Sequence, residues 1–192
     1  VFGCILFIRR CILHFQNYFY ETRGLGFSGL RWKKYSSTWW NHTLFRAFRI
    51  TIWMVCLLRY FSPDFDGYLG FYESLNVGPI VLAGNILLTV GFVLTVVSHL
   101  HMGCRWRSGI DPDGPSQLIT DGYYRFSRNP MFLSIAIAQL GFFLAIPSVF
   151  FSICLIFGIY TLHRQTLAEE AHLMQSFPKD YAHYMGQVRR WL

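Results

Sequence analysis

The chain has 192 residues, of which 53% are hydrophobic, 19% aromatic and only 14% charged. An ordinary soluble domain carries about 25% charged residues, so this composition excludes a disordered or fibrous chain and indicates an integral membrane protein. The formal net charge of +7 suits nucleic acid or an anionic lipid surface, but no run of Lys and Arg marks a nucleic-acid patch.

Three apolar segments in the first half of the chain are candidate membrane helices. A spanning helix needs about 20 mainly apolar residues. Residues 1–8 are too short for the apolar core and cleavage site of a signal sequence, and Arg9-Arg10 follow them directly. We therefore interpret the start of the chain as the end of a first membrane helix, with residues 1–15 as the candidate segment. Residues 44–61 form the second candidate, and residues 80–100, which are almost free of polar groups, form the third.

A longer apolar stretch, residues 131–163, is interrupted by Pro147. Proline followed by Ser148 suits a tight turn, which predicts a hairpin of two antiparallel helices of about 16 residues each. The expected fold is therefore all-α and polytopic, with about five membrane helices. A final amphipathic helix is predicted from apolar residues at helical spacing, and these are Leu173, Phe177, Tyr181, Tyr184, Val188 and Trp191.

The distribution of Lys and Arg predicts the orientation of these helices. Residues 16–42, residues 101–130 and the chain from residue 164 onwards each hold four Lys or Arg, whereas residues 62–78 hold none. Cytoplasmic loops collect Lys and Arg, so the three basic segments are predicted to be cytoplasmic. Two of them flank the hairpin, and we expect any chemistry to be built there.

Several common site types find no support in the sequence. The five cysteines are scattered and form no CxxC, which suits small buried hydrophobes and neither disulfides nor zinc. His99 and His101 cannot share a helix face, so a metal site is not expected. The usual nucleotide and serine-hydrolase motifs are absent from the sequence. Alkyl transfer from a sulfonium donor stays open, because the protein then supplies mainly alignment, desolvation and a carboxylate for the cation.

Two short polar motifs flank the hairpin, and each has two interpretations. Arg128-Asn129-Pro130 suits a basic membrane flank at a helix start, or an anion site at the first N–H groups of that helix. Glu169-Glu170 suits a solvated helix face, or a functional carboxylate in a chain with only ten acidic residues.

Three sequence blocks surround the hairpin in a fixed order. They are Leu118-Ile-Thr-Asp-Gly122-Tyr-Tyr124-Arg-Phe-Ser-Arg128-Asn129-Pro130-Met-Phe132, then Glu169-Glu170, then Phe177-Pro-Lys-Asp-Tyr181-Ala-His-Tyr184 with Val188-Arg-Arg-Trp191. Together they resemble the superfamily of isoprenylcysteine carboxyl methyltransferases and phospholipid methyltransferases, which are polytopic membrane enzymes. Bacterial members are also similar at Met102-Gly-Cys-Arg-Trp106-Arg-Ser-Gly-Ile-Asp111.

The resemblance covers about residues 99–192 and implies S-adenosylmethionine as the methyl donor. It makes residues 99–192 the cofactor-binding core and residues 1–98 the N-terminal membrane helices and loops, within a single structural domain. The implied partners are membrane lipids and a lipophilic or small acceptor with a carboxylate, thiol or amine. Arg128 and Arg164 are the candidate catalytic residues, since either guanidinium would steer an anionic acceptor. The implied cofactor-binding residues are Ser116, Gln117, Leu118, Ile119, Tyr124, Asn129, Pro130, Met131, Phe132 and Glu169.

Three positions depart from the family pattern. Asn129 replaces the usual histidine and Phe132 the usual tyrosine, and both can still pack or donate around an adenosine. Gln165 stands where the eukaryotic prenylcysteine enzymes have an arginine that faces the substrate, so a prenylcysteine carboxylate is not carried over as the acceptor. Two alternatives stay open: an NADPH-binding membrane enzyme similar to the much longer sterol reductases, and a membrane scaffold without activity.

Overall fold

The structure is a computed structural model that describes residues 37–102 and 117–192. The predicted helix at residues 1–15 lies outside these ranges. The described residues belong to one compact unit, and within them the all-α prediction is confirmed, since no strand longer than an isolated bridge occurs. Five α-helices follow one another: α1 (Ser37–Phe61), α2 (Gly78–Met102), α3 (Pro130–Ala145), α4 (Val149–Ser176) and α5 (Pro178–Gln187). Short 3₁₀ helices occupy Pro63–Tyr68 and Gly122–Arg125.

The second and third predicted membrane segments lie within α1 and α2. In the described part of the chain, α2 is the one helix whose length and apolar composition suffice to cross a bilayer. Residues 50–61 of α1 and the whole of α3 are apolar but shorter. The division of the chain at residue 98, which α2 crosses, stays a prediction.

The predicted hairpin turn is confirmed, but the predicted length of its second helix was wrong. α3 has 16 residues, as expected, and Ser148 caps α4 by accepting a hydrogen bond from the backbone N–H of Phe151. α4 has 28 residues, because the polar residues that follow His163 are good helix formers with no Gly or Pro before Pro178. This extension carries Glu169 and Glu170 beyond the apolar part of the hairpin.

Helices α2 and α3 pack with their backbones almost in contact. A Cβ atom added at Gly84 would lie 2.4 Å from the backbone N of Ala145, and one at Gly141 would lie 2.2 Å from that of Leu88. Small residues permit this close approach between apolar helices, which then gain dispersion energy along their whole contact. The two helices are therefore held together along their contact, and the start of α3 lies at one end of this pair.

The connection between α1 and α2 packs against the hairpin turn. The backbone N–H of Tyr72 donates to the carbonyl of Pro147 at 3.0 Å, and that of Val149 donates to Gly70 at 2.9 Å. Arg59, at the end of α1, forms a two-pronged ion pair with Asp66. These contacts fix one end of the helices, and the polar segments that precede α3 and follow α4 meet at the other end.

Helix α5 covers that other end, but it is shorter than the predicted amphipathic helix. Of the six predicted apolar residues, Tyr181 and Tyr184 lie on α5, at 1% and 6% exposure. Leu173 belongs to α4 and Phe177 lies between the two helices, because Pro178 starts a new helix, and Val188 and Trp191 follow α5. The Tyr184 hydroxyl donates to the carbonyl of Tyr124 at 2.6 Å. Burial raises the pKa of Tyr181 to about 12, so its hydroxyl stays neutral at physiological pH.

Candidate functional site

A buried ion network holds the polar end of the molecule together. It consists of Glu170 on α4, Arg128 and Asn129 at the start of α3, and Arg190 after α5, and is called the Glu170 network below. Arg190 donates to both oxygens of Glu170, with its Nη2 at 2.9 Å from Oε2. The Nη2 of Arg128 lies 3.5 Å from Oε1, and the side chains of Arg128 and Glu170 are only 8% and 7% exposed.

Asn129 joins the Glu170 network to the backbone of the tail. Its Nδ2 donates to Glu170 Oε1 at 2.9 Å and to the carbonyl of Arg190 at 3.3 Å. Ser127 Oγ donates to the same carbonyl at 3.2 Å, and the N–H of Arg128 donates to Arg189 at 3.0 Å. The loop before α3 and residues 188–192, which we call the tail segment, are therefore bonded to each other through side chains and backbone.

Glu169, the neighbour of Glu170, has quite different surroundings. Its Oε1 accepts one hydrogen bond, at 2.9 Å, from the neutral amide of Gln165 one turn earlier. Burial raises the pKa of the Glu169 carboxyl above its usual range, and the Gln165 hydrogen bond only partly offsets this rise. A carboxylate in this state is stabilised by any cation that binds beside it.

Two further polar atoms near the Glu170 network are buried without a hydrogen-bond partner in the described part of the chain. They are Nε of Arg128 and Oγ1 of Thr166, the latter on α4 one turn before Glu170 and 0% exposed. Buried polar groups in native proteins are nearly always satisfied, by protein, water or ligand. The hydrogen-bonding capacity of these two buried atoms is unused within the described residues.

Gly122 and Tyr124, in the loop before α3, contact the end of α2. Gly122 has a φ of +58° and lies against the ring of His101, where a Cβ would come within 2.5 Å of the ring atoms. Only glycine adopts this conformation at no cost. The Tyr124 hydroxyl lies 3.2 Å from Sδ of Met102, which ties the loop to the end of α2.

The predicted site residues lie in the loop before α3, in the first turn of α3 and in the second half of α4. Ser116 lies outside the described residues, and Gln117 and Arg164 are exposed. Asn129 and Pro130 are buried, as is the side chain of Arg128. The others are half-buried, namely Leu118, Ile119, Tyr124, Met131, Phe132 and Glu169. Their assignment to cofactor or acceptor stays a prediction.

Glu170 and Arg190 are the two residues whose importance the sequence reasoning missed. The resemblance selected Glu169, the neighbour of Glu170. Arg190 entered the sequence analysis only as one of the four Lys and Arg in the last basic segment. The acid-poor composition was the one available signal for Glu170, and the sequence carried none for Arg190, which meets its partners only through tertiary contacts.

The fold and the site define an all-α protein with a buried polar network where its apolar helices end. The family model for phospholipid methyltransferases matches residues 79–180, more than half of the chain. The chain therefore belongs to the phospholipid methyltransferase family, and it is a methyltransferase of a membrane-associated family. The match includes Arg128, Asn129, Glu169 and Glu170 and ends before Arg190. No curated protein and no solved structure matches the chain.

Proposed function

We propose that the protein is a multi-pass membrane methyltransferase that uses S-adenosylmethionine and methylates a lipophilic or small nucleophile. The acceptor atom belongs to a carboxylate, a thiol or an amine. Membership of the phospholipid methyltransferase family supports the reaction class, and it favours this function over a reductase that binds NADPH.

The surroundings of Glu169 are the observation that carries the proposal. The half-buried carboxyl of Glu169 has one neutral hydrogen-bond donor and a raised pKa, and a bound cation offsets the cost of ionising it. S-adenosylmethionine carries two cationic groups, a sulfonium and an ammonium. The Arg128 guanidinium and the Thr166 hydroxyl are further polar groups buried at the same end of the molecule. The residues present therefore fit this donor.

The remaining residues of the site have positioning roles in the proposal. When bound, S-adenosylmethionine supplies a methyl carbon whose bond to sulfur breaks as the acceptor's lone pair attacks, which leaves a neutral thioether. The Glu170 network holds Asn129 and the tail segment in place, so these residues are already in position when the donor binds. Helix α5 covers the site and excludes water, while Arg128 and the exposed Arg164 attract an anionic acceptor.

The membrane arrangement in the proposal is multi-pass, with the active site on the cytoplasmic face. The apolar α2 supports one span, and the hairpin of α3 and α4 together with α1 supplies the others. The contrast between twelve Lys and Arg in three segments and none in residues 62–78 supports the orientation. A nucleophile dissolved in the lipid then reaches the site laterally.

The test is calorimetric binding of S-adenosylmethionine to the purified protein in detergent. We expect wild type to bind and Glu169→Gln to lose at least tenfold in affinity, because the amide leaves the cation without a counter-charge. Glu73→Gln is the matched control, since Glu73 is exposed in the connection between α1 and α2. A wild type that binds no S-adenosylmethionine would overturn the proposal and favour a scaffold without activity.

The pH dependence of binding provides a second readout of the same proposal. The pKa of Glu169 is raised, so the ligand-free protein holds a proton on this carboxyl at acid pH and must release it when a cation binds. Affinity should therefore rise with pH through the raised pKa of Glu169 and level off above it. Glu169→Gln should remove this dependence, and an equal slope in both proteins would contradict the assigned role.

A further inference from the structure

Two exposed aromatic side chains lie at the polar end of the molecule, outside the apolar helices. They are Tyr123 and Phe126 in the loop before α3, and they are 42% and 72% exposed. The backbone N–H of Phe126 donates to the carbonyl of Tyr123 at 3.2 Å, which is a bond of the 3₁₀ type. Residues three apart in such a turn share one side of it. The two rings therefore form a joint apolar surface, called the aromatic face below, and exposed apolar surface of this kind indicates an interaction site.

The aromatic face lies beside the ends of two apolar helices. Phe126 precedes Pro130, the first residue of α3, by four positions, and α3 is apolar from Met131 onwards. The ring of Tyr123 contacts that of His101 at the end of α2, with the centroids 6.0 Å apart. Where apolar helices end, a membrane protein meets the lipid headgroups, and aromatic side chains are favoured at this level.

Two exposed arginines accompany the aromatic face, and neither has an ion-pair partner among the described residues. Arg125 lies between the two aromatic residues in the sequence. Arg189 belongs to the tail segment, and its carbonyl accepts from the backbone N–H of Arg128 at 3.0 Å, so it lies beside the loop. Arg128 and Arg190, by contrast, are both paired with Glu170. Arg125 and Arg189 thus contribute charges that the fold itself does not use.

The charge of this surface selects the kind of partner that it fits. Asp121 is the one acidic residue among residues 117–129, and it lies 3.9 Å from Nε2 of His101, while residues 188–192 contain no acidic side chain. An anionic bilayer surface offers phosphates for the guanidinium groups and apolar surface for the rings. A second copy of the chain would bring the same positive charge to the contact and be repelled.

We propose that the aromatic face, together with Arg125 and Arg189, is a docking surface for the headgroups of anionic phospholipids. Tyr123 and Phe126 enter the headgroup region, and the two guanidinium groups donate to lipid phosphates. Because Arg125 belongs to the loop before α3 and Arg189 to the tail segment, bound lipid holds these two segments together. The inference requires the membrane association of the family, but neither a methyl donor nor the transfer reaction.

The experiment measures lipid selectivity by electron paramagnetic resonance, with the full chain in phosphatidylcholine vesicles. Spin-labelled phosphatidylglycerol is the anionic probe, and spin-labelled phosphatidylcholine, which carries no net charge, is the matched probe. The immobilised fraction of each probe gives its association constant with the protein. We expect wild type to bind phosphatidylglycerol about fivefold more tightly than phosphatidylcholine, which is the typical contribution of one basic residue near an anionic surface. Equal constants for the two probes would overturn the inference.

Arg125→Gln and Arg189→Gln should each lower this preference, and the double variant should remove most of it, because glutamine is polar but uncharged. Lys179→Gln is the matched control and should keep the preference. Lys179 is an exposed cation near the start of α5, about 12 Å from the end of that helix at about 1.5 Å per residue. A preference that the double variant keeps in full, or that Lys179→Gln lowers equally, would overturn the inference. An unchanged preference in either single variant would exclude the lipid contact between loop and tail segment.

Phe126→Trp tests whether the aromatic face enters the bilayer. The added indole fluorescence, taken as the difference from wild type, should be quenched by brominated phosphatidylcholine in the bilayer and only weakly by acrylamide in the water. Fluorescence quenched mainly by acrylamide would place the aromatic face in water. Fluorescence quenched by neither reagent would place it in a protein contact, and either of these two results would overturn the inference.

Discussion

Glu169 and Glu170 are adjacent in the chain, but the fold gives their carboxylates different surroundings. Glu170 is surrounded by two guanidinium groups and an amide, while Glu169 accepts from one neutral side chain. Adjacent helical positions point about 100° apart, so one carboxylate faces the loop before α3 and the tail segment, and the other has separate neighbours.

The first prediction at this scale concerns stability. Glu170→Gln leaves the buried guanidinium of Arg128 without a counter-charge, and we expect the free energy of unfolding to fall by about 3–5 kcal/mol. Thermal unfolding in detergent, followed by circular dichroism, measures the effect. A Tm equal to that of wild type would show that the Glu170 network contributes nothing to the fold.

Glu169→Gln is the matched control for this measurement. The folded-state pKa of Glu169 is raised, so its favourable contribution to stability is present at acid pH and is lost as pH rises through that pKa. Replacing the carboxyl by an amide at neutral pH should therefore leave Tm unchanged or slightly higher. The two neighbouring substitutions thus separate a structural carboxylate from the carboxylate that we propose binds the donor.

At the scale of single residues, the sequence identified the neighbourhood of the site better than its contacts. The motif around Arg128 and the acidic pair on α4 were selected, and the structure brings Arg128, Asn129 and Glu170 together. Which of two consecutive glutamates meets Asn129 depends on the rotation of α4 about its axis. That rotation is set by packing against other helices, which a local motif does not specify.

At the scale of elements, the helices were largely predictable, because a long apolar run has few other secondary structures in which its backbone hydrogen bonds are satisfied. The turn at Pro147 was predicted from the conformational limits of proline. The extension of α4 to Ser176 was missed because the prediction ended the helix where the apolar run ended. Helix propensity continues past that point, and tertiary contacts through Glu170 stabilise the extension.

The contact between α2 and α3 leads to a prediction about glycine. In Gly141→Ala the new Cβ would lie 2.2 Å from the backbone N of Leu88, and backbone atoms cannot move aside as a side chain does. We expect the substitution to force the helices apart and to lower the free energy of unfolding by about 1–3 kcal/mol.

Gly186→Ala on α5 is the control, because a Cβ there meets nothing within 4 Å. It should be neutral or raise stability by up to about 1 kcal/mol through helix propensity. Thermal unfolding of both variants measures the change in stability. Equal Tm values for Gly141→Ala and wild type would mean that the close contact between α2 and α3 is not maintained in solution.

At the scale of the whole molecule, the tail segment closes the polar end from a distance in sequence. It supplies the Arg190 guanidinium to Glu170 and a carbonyl to both Ser127 and Asn129. Such contacts are invisible to local sequence patterns, since the partners lie 20 to 63 residues apart. The amphipathic character of α5 was predictable, whereas the residues that it and the tail would contact were not.

Removing residues 188–192 tests this closure. We expect the truncated protein to bind S-adenosylmethionine at least tenfold more weakly, because Asn129 loses an acceptor and Glu170 loses its two-pronged partner. Calorimetry measures the affinity, and gel filtration checks that the protein is still folded. Removal of Leu192 alone, which is 73% exposed, should have no effect. Unchanged affinity after the longer truncation would exclude a role for the tail segment in the site.

The separation between Asn129 and Arg190 also has a consequence for biosynthesis. These residues are 61 positions apart, so at about 5–20 residues per second a ribosome needs about 3–12 s to progress from one to the other. During this interval α3 and α4 are synthesised, while Asn129 still lacks its carbonyl partner in the tail segment. A ribosome that stalls between α4 and the tail segment would therefore leave a chain whose polar end has never closed.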